Sequence, residues 1–489
     1  MDHHPTMHVY SKEDLRCYIE GATLLATGGG GAKQVAHNLL DKSGVENVYG
    51  IGSSMVPETM HIATAAQVFA PSDIWANQDY KSALNSYNRL IPENYAPRGV
   101  LPVEVGAVNG IVPAITAALS SAYLILDSQI DRSMPEMDMG LFHLHVPYRH
   151  LEMVTEDGSQ KLNKFYSEKL TDAMIPEEDI LKTMQDNPGF KGVGGFATYV
   201  MTGADLVSYA NQGWIFHNTF EYARQIGLQM GQPDFENRIF QVIQQHLGSS
   251  FRPYRLFTGY LAETKEQSHA QDYGYADFIS DDPESAMGAR IYYSNENMIA
   301  YHLVWVLVRD VPVPLETGPM AIGPDSISYL LFEGESGIFK AGYSFSNEAF
   351  QEAHGDPDLF KTNRVAIIGI PEPRLRSDPV TKAYAREISR AREAFGKTYD
   401  GIYIPLERLN AMCPRLDVKK NSGKVTVSGG IPGSVIRYTT DGNTPESDSP
   451  VLKDPLELSA VAGRVLKARL FLQDGSPAMT VSADFSGVL

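Results

Sequence analysis

The apolar segment Gly21-Ala22-Thr23-Leu24-Leu25-Ala26 runs into Thr27-Gly28-Gly29-Gly30-Gly31, and a helix-like pattern resumes at Ala32. Four consecutive glycines weaken a helix or strand by roughly 0.5–1 kcal/mol each relative to alanine, so the run needs a positional reason. One reason is an anion site, because free amide groups at the start of the following helix attract negative charge. The other is a tight turn between two closely packed elements. The spacing matches neither the dinucleotide fingerprint nor the P-loop.

Composition and charge limit the class of protein. The chain has 489 residues, of which 43% are hydrophobic and 20% charged, as is typical of a globular protein with roughly two to four domains. The net charge of -18 argues against a nucleic-acid partner, because phosphate binding needs a basic surface. With only Cys17 and Cys413, the sequence excludes a disulfide framework and a four-cysteine zinc site. The sequence lacks the basic and apolar segments of a standard secretory signal, and it contains no run of about 18 apolar residues. We therefore expect a cytoplasmic location and no membrane partner.

The first block of the sequence alternates between helical and strand-like patterns. Ser11 is suited to cap a helix with apolar residues at helical spacing that ends at the glycine run, and a second helix is expected from Ala32. Strand-like runs at 60–70, 100–105 and 122–126 then alternate with helical runs at 79–90 and 112–120. A polar stretch with helical fragments, residues 148–187, marks a junction. This pattern predicts an α/β N-terminal domain with a partly parallel sheet over residues 1–168.

The remaining sequence divides into two further blocks. Helical runs at 205–230 and 233–247 precede strands and turns between 254 and 369, and a charged helix follows at 378–396. We therefore expect a strand-rich α+β second domain over residues 169–411. Residues 412–489 contain short alternating runs at 424–428, 435–439, 456–459 and 465–471 between Gly and Pro turns. They predict a small all-β sandwich of the Fn3 or Ig type.

Several motifs occur in a fixed order along the chain. The first block contains Thr27-Gly28-Gly29-Gly30-Gly31, then Glu104-Val105-Gly106-Ala107-Val108-Asn109, then Arg132-Ser133-Met134-Pro135-Glu136. The second block contains Ser294-Asn295-Glu296-Asn297-Met298 and Pro324-Asp325-Ser326-Ile327. Together they resemble the N- and C-terminal domains of the S-methyl-thiohydantoin desulfurase family, which usually has glycine where Asp131 stands. The tail run Tyr438-Thr439-Thr440-Asp441-Gly442 resembles the chitobiase/β-hexosaminidase C-terminal β-sandwich.

The resemblance implies a hydrolase or desulfurase whose small-molecule substrate is a five-membered cyclic amide or thioamide of the hydantoin type. Such a reaction needs an activated water, a group that stabilises the oxyanion and a proton donor. The candidate catalytic residues are Glu104, Asp127, Arg132 and Glu136. The candidate substrate-binding residues are Thr27, Gly28, Gly29, Gly30, Gly31, Asn109, Asn295 and Glu296.

Oxygen and nitrogen groups in the same part of the chain predict a divalent metal such as Zn, Mn or Mg. The candidate ligands are Asp127, which follows a predicted strand, Asp131 and His143. His143 and His145 alternate in a predicted strand and share one face, which fits paired ligands but equally an exposed polar edge. Arg132 and Glu136, four residues apart, could instead form an exposed ion pair.

A second hypothesis for the function belongs to a different class. In it the first two domains form a catalytically idle scaffold, and the C-terminal sandwich recruits a glycan or a protein partner. A homo-oligomer is left open under both hypotheses.

Overall fold

The computed structural model describes residues 7–69, 79–146, 150–165, 186, 193–268, 272–282, 285, 287–308, 311–351, 356–412, 416–421, 423–429, 434–471 and 477–485. Cys413 and most of the predicted junction at 148–187 lie outside these residues. The described chain forms an α/β unit, a strand-rich unit and a small β-sandwich, which confirms the predicted fold classes.

The first unit is built on a mixed sheet. Its strands are β1 (His8–Ser11), β2 (Asn47–Ile51), β3 (His61–Phe69), β4 (Arg98–Leu101), β5 (Tyr123–Ile125), β6 (His150–Val154), β7 (Lys161–Phe165) and β8 (Val193–Thr202). They lie in the order β1-β2-β5-β4-β3-β8-β6-β7, and the central pairs from β2 to β3 are parallel. The parallel part of the sheet is therefore confirmed. Strand β8 lies beyond residue 168 and still pairs with β3, antiparallel.

Helices cover this sheet and begin where the sequence provides caps. They are α1 (Lys12–Leu25), α2 (Lys33–Ser43), α3 (Lys81–Leu90), α4 (Ala107–Leu119) and α5 (Leu141–His145). A capping box formed by Ser11 and Asp14 starts α1, as Ser11 predicts. The strand predicted at 100–105 ends early, at Leu101, because Pro102 has no N–H to continue the ladder.

Two sequence predictions in this unit are wrong. His143 and His145 do not alternate along a strand but belong to the short helix α5, where the His145 ring stacks on Trp214 with centroids 4.6 Å apart. The described part of 148–187 is chiefly the antiparallel hairpin of β6 and β7 rather than helix fragments. The turn at Asp157-Gly158, with Gly158 at φ 71°, favours the hairpin.

The helix predicted at 205–230 is two helices, α6 (Gly203–Asn211) and α7 (Thr219–Gly227). Gly213 at φ 78° ends the first, and the segment between them pairs Phe216 with Ser128 through two backbone hydrogen bonds. Helix α8 (Phe235–Leu247) follows as predicted. Helix α7 packs against α1 so closely that a Cβ on Gly21 would lie 1.7 Å from the carbonyl oxygen of Ala223.

The second unit is an antiparallel sheet with one long helix against it. Its main strands are β9 (Tyr254–Ser268), β10 (Asp272–Ser280), β11 (Met287–Ser294), β12 (Glu296–Val308), β13 (Val311–Ile322), β14 (Ser326–Leu331), β17 (Tyr343–Phe345) and β18 (Val365–Ile370), with a small hairpin of β15 (Glu335–Ser336) and β16 (Phe339–Lys340). The sheet order is β13-β12-β11-β10-β9-β18-β14-β17. The helices are α9 (Pro357–Thr362), α10 (Asp378–Glu393) and α11 (Leu406–Met412).

One hydrophobic core joins the first two units. Leu330, Ala366 and Ile368 of the second sheet are fully buried in the same cluster as Leu15 and Ile19 of α1. The two units are therefore packed as one body rather than joined only by a linker.

The last unit consists of two three-stranded sheets. One contains β19 (Leu416–Asn421), β20 (Lys424–Gly429) and β22 (Leu456–Glu457), and the other β21 (Val435–Thr439), β23 (Val465–Phe471) and β24 (Pro477–Asp484); the short helix α12 is Leu458–Val461. Val425, Leu466 and Leu470 form its separate core. Across the described residues of all three units, no helix is long and apolar enough to cross a membrane.

Candidate active site

The glycine loop lies at the contact between the first two units. Thr27 is fully buried, and its carbonyl oxygen accepts a hydrogen bond of 2.6 Å from the backbone N–H of Asn297. The carbonyl oxygen of Gly28 accepts one of 2.8 Å from the N–H of Asn347. The Thr27 hydroxyl exchanges hydrogen bonds with the backbone of Ile327. The loop backbone is thus bonded directly into the second unit.

Steric space explains why the loop is glycine. A Cβ on Gly29 would lie 2.1 Å from a carboxylate oxygen of Glu296, and one on Gly30, at φ 71°, would lie 2.7 Å from the Cα of Gly106. The Gly30 N–H donates to the same Glu296 oxygen at 3.2 Å. The loop is therefore a tight turn between packed elements, and the group that accepts a hydrogen bond from its amide is a carboxyl group of the protein itself. Gly31 lies against Val108.

Glu296, the first residue of β12, faces Glu104 across the contact. Glu104 accepts hydrogen bonds from the Asn109 side chain at 2.9 Å and from the Met134 N–H at 3.0 Å. The Ser133 hydroxyl donates to Glu296 at 2.8 Å. Burial raises the pKa of both carboxyl groups, and the charge of Glu104 helps to raise the pKa of Glu296 to about 8. Near neutral pH, Glu296 therefore carries a proton.

Arg132 lies between the two units and is fully buried. Its Nη1 donates to the carbonyl oxygen of Pro324, and its Nε donates to the carbonyl oxygen of Ser133 at 3.0 Å. The guanidinium packs over the ring of Tyr384, 5.1 Å from its centroid. Because Arg132 is fully buried, the exposed ion pair with Glu136 that the sequence left open is excluded.

Glu136 instead bonds to helix α10. Its carboxylate accepts a hydrogen bond of 2.6 Å from Arg390 and another from Arg386. Both arginines are partly exposed. The structure thus brings Glu136 to the contact between the units, where it ties the turn after Arg132 to the second unit.

A second carboxyl pair lies on the other side of Arg132. Asp131 is hydrogen-bonded to Glu372, which requires a proton on one of the two groups. Burial raises the pKa of Asp131 to about 6, and the charges of Arg374 and Arg132 limit the rise. Burial and the charge of Asp131 raise the pKa of Glu372 well above its ordinary value. We therefore assign the shared proton to Glu372, whose carboxyl group donates the hydrogen bond to the Asp131 carboxylate.

Asp325 fixes the positions of two members of this site. Its carboxylate accepts hydrogen bonds of 2.8 Å from the N–H of Glu372, the N–H of Leu406 and the hydroxyl of Tyr403. Arg376 donates to it as well, at 2.9 Å. This fully buried carboxylate thereby orients Glu372, and Asp325 directly follows Pro324, whose carbonyl oxygen holds Arg132.

We refer to Glu104, Asp131, Arg132, Glu296 and Glu372 as the acid–arginine cluster. Within the described chain, five buried polar atoms in and around it have no hydrogen-bond partner: Asp131 Oδ1, Arg132 Nη2, Glu296 Oε2 and the hydroxyls of Tyr222 and Tyr384. The Tyr384 hydroxyl is within electrostatic reach of four members of the cluster, and that of Tyr222 is within reach of Asp131 and Glu372. Buried polar groups are normally paired, so these atoms are suited to bind a polar ligand.

Sequence reasoning missed Glu372, Tyr222 and Tyr384. Glu372 follows the apolar run Val365–Ile370, which forms β18, by two residues, and a carboxylate just after a predicted strand was the available signal. Tyr222 and Tyr384 lie on the buried faces of helices α7 and α10, where an aromatic residue is normally expected to belong to the hydrophobic core. The Tyr222 ring also stacks on His246, with centroids 3.7 Å apart.

Asp127 and His143 have their own partners elsewhere. Asp127 accepts hydrogen bonds from the N–H groups of Ser53 at 2.9 Å and Asn218 at 2.6 Å, and it lies 3.4 Å from His217. Burial alone would raise the pKa of Asp127, but these hydrogen bonds outweigh it and lower the pKa.

His143 is buried, and its Nδ1 lies 2.8 Å from the Tyr199 hydroxyl. Burial lowers the pKa of His143 to about 3. In the described residues no group of three or more His, Cys, Asp or Glu side chains is arranged to hold a metal. Asp127, Asp131 and His143 are thus not assembled as a set of ligands, and the metal stays a prediction.

The other predicted binding residues lie beside the acid–arginine cluster. The Asn109 side chain connects Glu104 to strand β3. Its nitrogen donates a hydrogen bond to Glu104, and its oxygen accepts one of 3.3 Å from the backbone N–H of Gln67. Asn295 has φ 54°, and its carbonyl oxygen accepts a hydrogen bond from the Asn347 side chain. Both residues therefore shape the backbone that presents Glu104 and Glu296.

Family comparison agrees with this two-part site. The family model of the S-Me-THD-like N-terminal domain matches residues 13–164, and that of the S-Me-THD-like C-terminal domain matches residues 178–387. The chain belongs to the S-Me-THD-like family. In this S-Me-THD-like protein the cluster draws residues from both matched domains. Residues 417–482 match the chitobiase/β-hexosaminidase C-terminal domain, which confirms the predicted tail.

A crystal structure of a protein from Chromobacterium violaceum, a structural genomics target, is similar to this chain. Its TM-score is 0.63 at 20% sequence identity, and the match covers 82% of this chain and 100% of that one. At this identity the likeness shows the fold alone. No functionally curated protein matches the S-Me-THD-like chain.

Proposed function

We propose that this protein is a hydrolase or desulfurase that acts on a five-membered cyclic amide or thioamide of the hydantoin or S-methyl-thiohydantoin type. The observation that carries the proposal is the acid–arginine cluster, in which carboxyl groups of different pKa surround a buried arginine with unpaired polar atoms. Clusters of this kind are typical of sites for acid–base chemistry. Membership of the S-Me-THD-like family supports the substrate class.

Asp131 is the proposed general base. With a pKa of about 6 it is mainly ionised at pH 7, and its Oδ1 has no partner in the described structure. A carboxylate whose pKa lies just below the working pH is an efficient base for taking a proton from water. Glu372, which donates a hydrogen bond to Asp131, keeps this carboxylate oriented.

Glu296 is the proposed general acid. Its pKa of about 8 keeps it mainly protonated at pH 7, and its unpaired Oε2 is free to donate. Gly30 and Ser133 hold the other oxygen, so the carboxyl group has a fixed orientation. Glu104 and Asn109 support this role from the first unit, since the Glu104 charge helps to keep the proton on Glu296.

Arg132 is the proposed oxyanion-binding group. Two of its nitrogens are bonded to carbonyl oxygens, and the unpaired Nη2 is left to donate to a ring carbonyl or to the oxyanion that forms from it. A preorganised donor in a buried site stabilises such developing charge.

The reaction balances for a methylthio-substituted ring. Water adds to the ring carbon that carries sulfur, the carbon–sulfur bond breaks, and methanethiol leaves while the carbon becomes a carbonyl. Of the two water protons, one ends on the ring nitrogen through Asp131. The other replaces the proton that Glu296 gives to sulfur. A divalent metal is a separate proposal, tested by activity with and without a chelator.

The test is turnover by the purified full-length protein of S-methyl-thiohydantoin and of hydantoin. Release of methanethiol is followed with a thiol reagent, and ring opening by chromatography. We expect Asp131→Asn and Glu296→Gln each to lower turnover at least about 100-fold, as loss of a general base or acid does. The exposed Glu335→Gln serves as a matched control. Absence of turnover of either ring by the parent protein, with and without added Zn, Mn or Mg, would refute the proposal.

A further inference from the structure

A second pocket lies on the strand-rich unit and shares no residue with the acid–arginine cluster. It has a volume of about 360 Å³, within the ~300–1,000 Å³ typical of ligand sites. It opens between strands β12 and β13 and the segment that follows helix α10. Its lining residues are Tyr301, Pro319, Ile322, Thr398, Tyr399, Asp400, Ile402 and Ile404.

One end of this pocket is polar and negatively charged. The Asp400 carboxylate is exposed and acts electrostatically on the phenols of both Tyr301 and Tyr399. The Tyr399 hydroxyl donates to the carbonyl oxygen of Ile402 at 2.7 Å, which holds the segment in place. The Asp400 carboxylate accepts a hydrogen bond of 3.3 Å from the backbone N–H of Ile402. Asp400 forms no ion pair within the described part of the chain, so its charge is available to a ligand.

A cation beside the pocket is already neutralised. Arg392 packs on the Tyr301 ring, 4.3 Å from its centroid, and donates to Glu316 at 3.0 Å and to the Thr398 carbonyl at 2.9 Å. Its charge is therefore paired with the Glu316 carboxylate. Lys397 adds a further positive charge near Glu316.

The rest of the pocket is apolar. Pro319, Ile322 and Ile404 offer aliphatic surface beside the two tyrosine rings. Ile402 is 57% exposed, which is unusual for an isoleucine and places apolar surface at the rim. Such surface would be covered by the apolar body of a ligand.

We propose that this pocket binds an organic ammonium compound with an aromatic or aliphatic body. The ammonium group pairs with Asp400 and the electron-rich ring of Tyr399, and the apolar body lies against Pro319 and Ile322. The proposal is independent of the function proposed for the acid–arginine cluster.

The probes are phenethylamine, its neutral analogue 2-phenylethanol and the anionic phenylacetate, with binding to the full-length protein measured by saturation-transfer NMR and calorimetry. We expect phenethylamine to bind with a Kd on the order of 1 mM, as for a small fragment. Phenylacetate should bind at least about fivefold more weakly. Asp400→Asn should weaken phenethylamine binding about fivefold, the scale of a solvent-exposed ion pair.

The matched control is Asp378→Asn, which removes an aspartate whose side chain is 89% exposed and which does not line the pocket. It should leave phenethylamine binding unchanged. The proposal is overturned if the parent protein does not bind phenethylamine at 10-fold the expected Kd, or if phenylacetate binds equally well. It is also overturned if Asp400→Asn and Asp378→Asn bind phenethylamine alike.

Discussion

Replacing Glu296 by glutamine should change how the stability of the protein depends on pH. The pKa of Glu296 is raised from its ordinary 4.5 to about 8, first by burial and then by the charge of Glu104. Between these two pH values the folded protein holds a proton that the unfolded chain has lost. The contribution of Glu296 to stability is therefore fully present below pH 4.5 and is lost as the pH rises through about 8.

The size of this loss follows from the pKa values. Each pH unit between them lowers the free energy of unfolding by about 1.4 kcal/mol, so over the 3.5 units the parent protein loses on the order of 5 kcal/mol through this one group. Glutamine has no proton to lose, and its side-chain oxygen can still accept hydrogen bonds from Gly30 and Ser133. The Glu296→Gln variant should thus gain stability relative to the parent as the pH rises.

The assay is urea unfolding of parent and variant at pH 5, 6, 7 and 8, monitored by tryptophan fluorescence. The difference in stability, variant minus parent, should increase steadily across this range. Glu335→Gln, which removes an exposed carboxylate, should show no such trend. Parallel stability curves for parent and Glu296→Gln would show that Glu296 is ionised in the folded protein and would remove the basis for its role as an acid.

Three further outcomes are expected. Activity should depend on pH as a bell, rising near pH 6 as Asp131 ionises and falling near pH 8 as Glu296 loses its proton; a rate independent of pH between 5 and 9 would contradict both roles. Arg132→Lys removes the planar guanidinium, so it should lower kcat/KM at least about tenfold, or ~1.4 kcal/mol, and should also lower the melting temperature. An unchanged kcat/KM per folded molecule would show that the role of Arg132 is purely structural. Gly29→Ala should destabilise the protein by about 1–3 kcal/mol in thermal unfolding, because the new Cβ meets Glu296, whereas Gly52→Ala, with open space around it, should have little effect; equal melting temperatures would refute the close packing.

Local signals in the sequence predicted most of the helices and strands. Ser11 begins α1 because its hydroxyl and the Asp14 carboxylate satisfy free N–H groups within four residues, and such a signal is complete in the sequence. The strand predicted for His143 failed because alternation over five residues does not separate a strand from a short helix. The helix predicted at 205–230 is interrupted because Gly213 adopts a left-handed conformation, with φ 78°. The helical spacing of the apolar residues does not reveal this break.

The candidate site was predictable only in part. Glu104, Arg132 and Glu296 stand in recognisable motifs, but their proximity is set by contacts across hundreds of residues, such as that between Gly30 and Glu296, 266 positions apart. The same distance explains why the purpose of the glycine run stayed open. Its amide partner, the Glu296 carboxylate, lies in another domain and is not visible in any local pattern.

The backbone hydrogen bonds of Thr27 and Gly28 to Asn297 and Asn347 would limit how the proposed substrate reaches the cluster. A two-domain enzyme commonly admits its substrate by hinge opening. Here a hinge motion would break the backbone hydrogen bonds between the two units and expose the buried glycine loop. In the proposed reaction, we therefore expect the two units to stay in contact. The proposed substrate would then enter through movement of side chains at the surface, and the exposed Arg374, whose charge acts on Asp131, indicates the side of the molecule where this occurs.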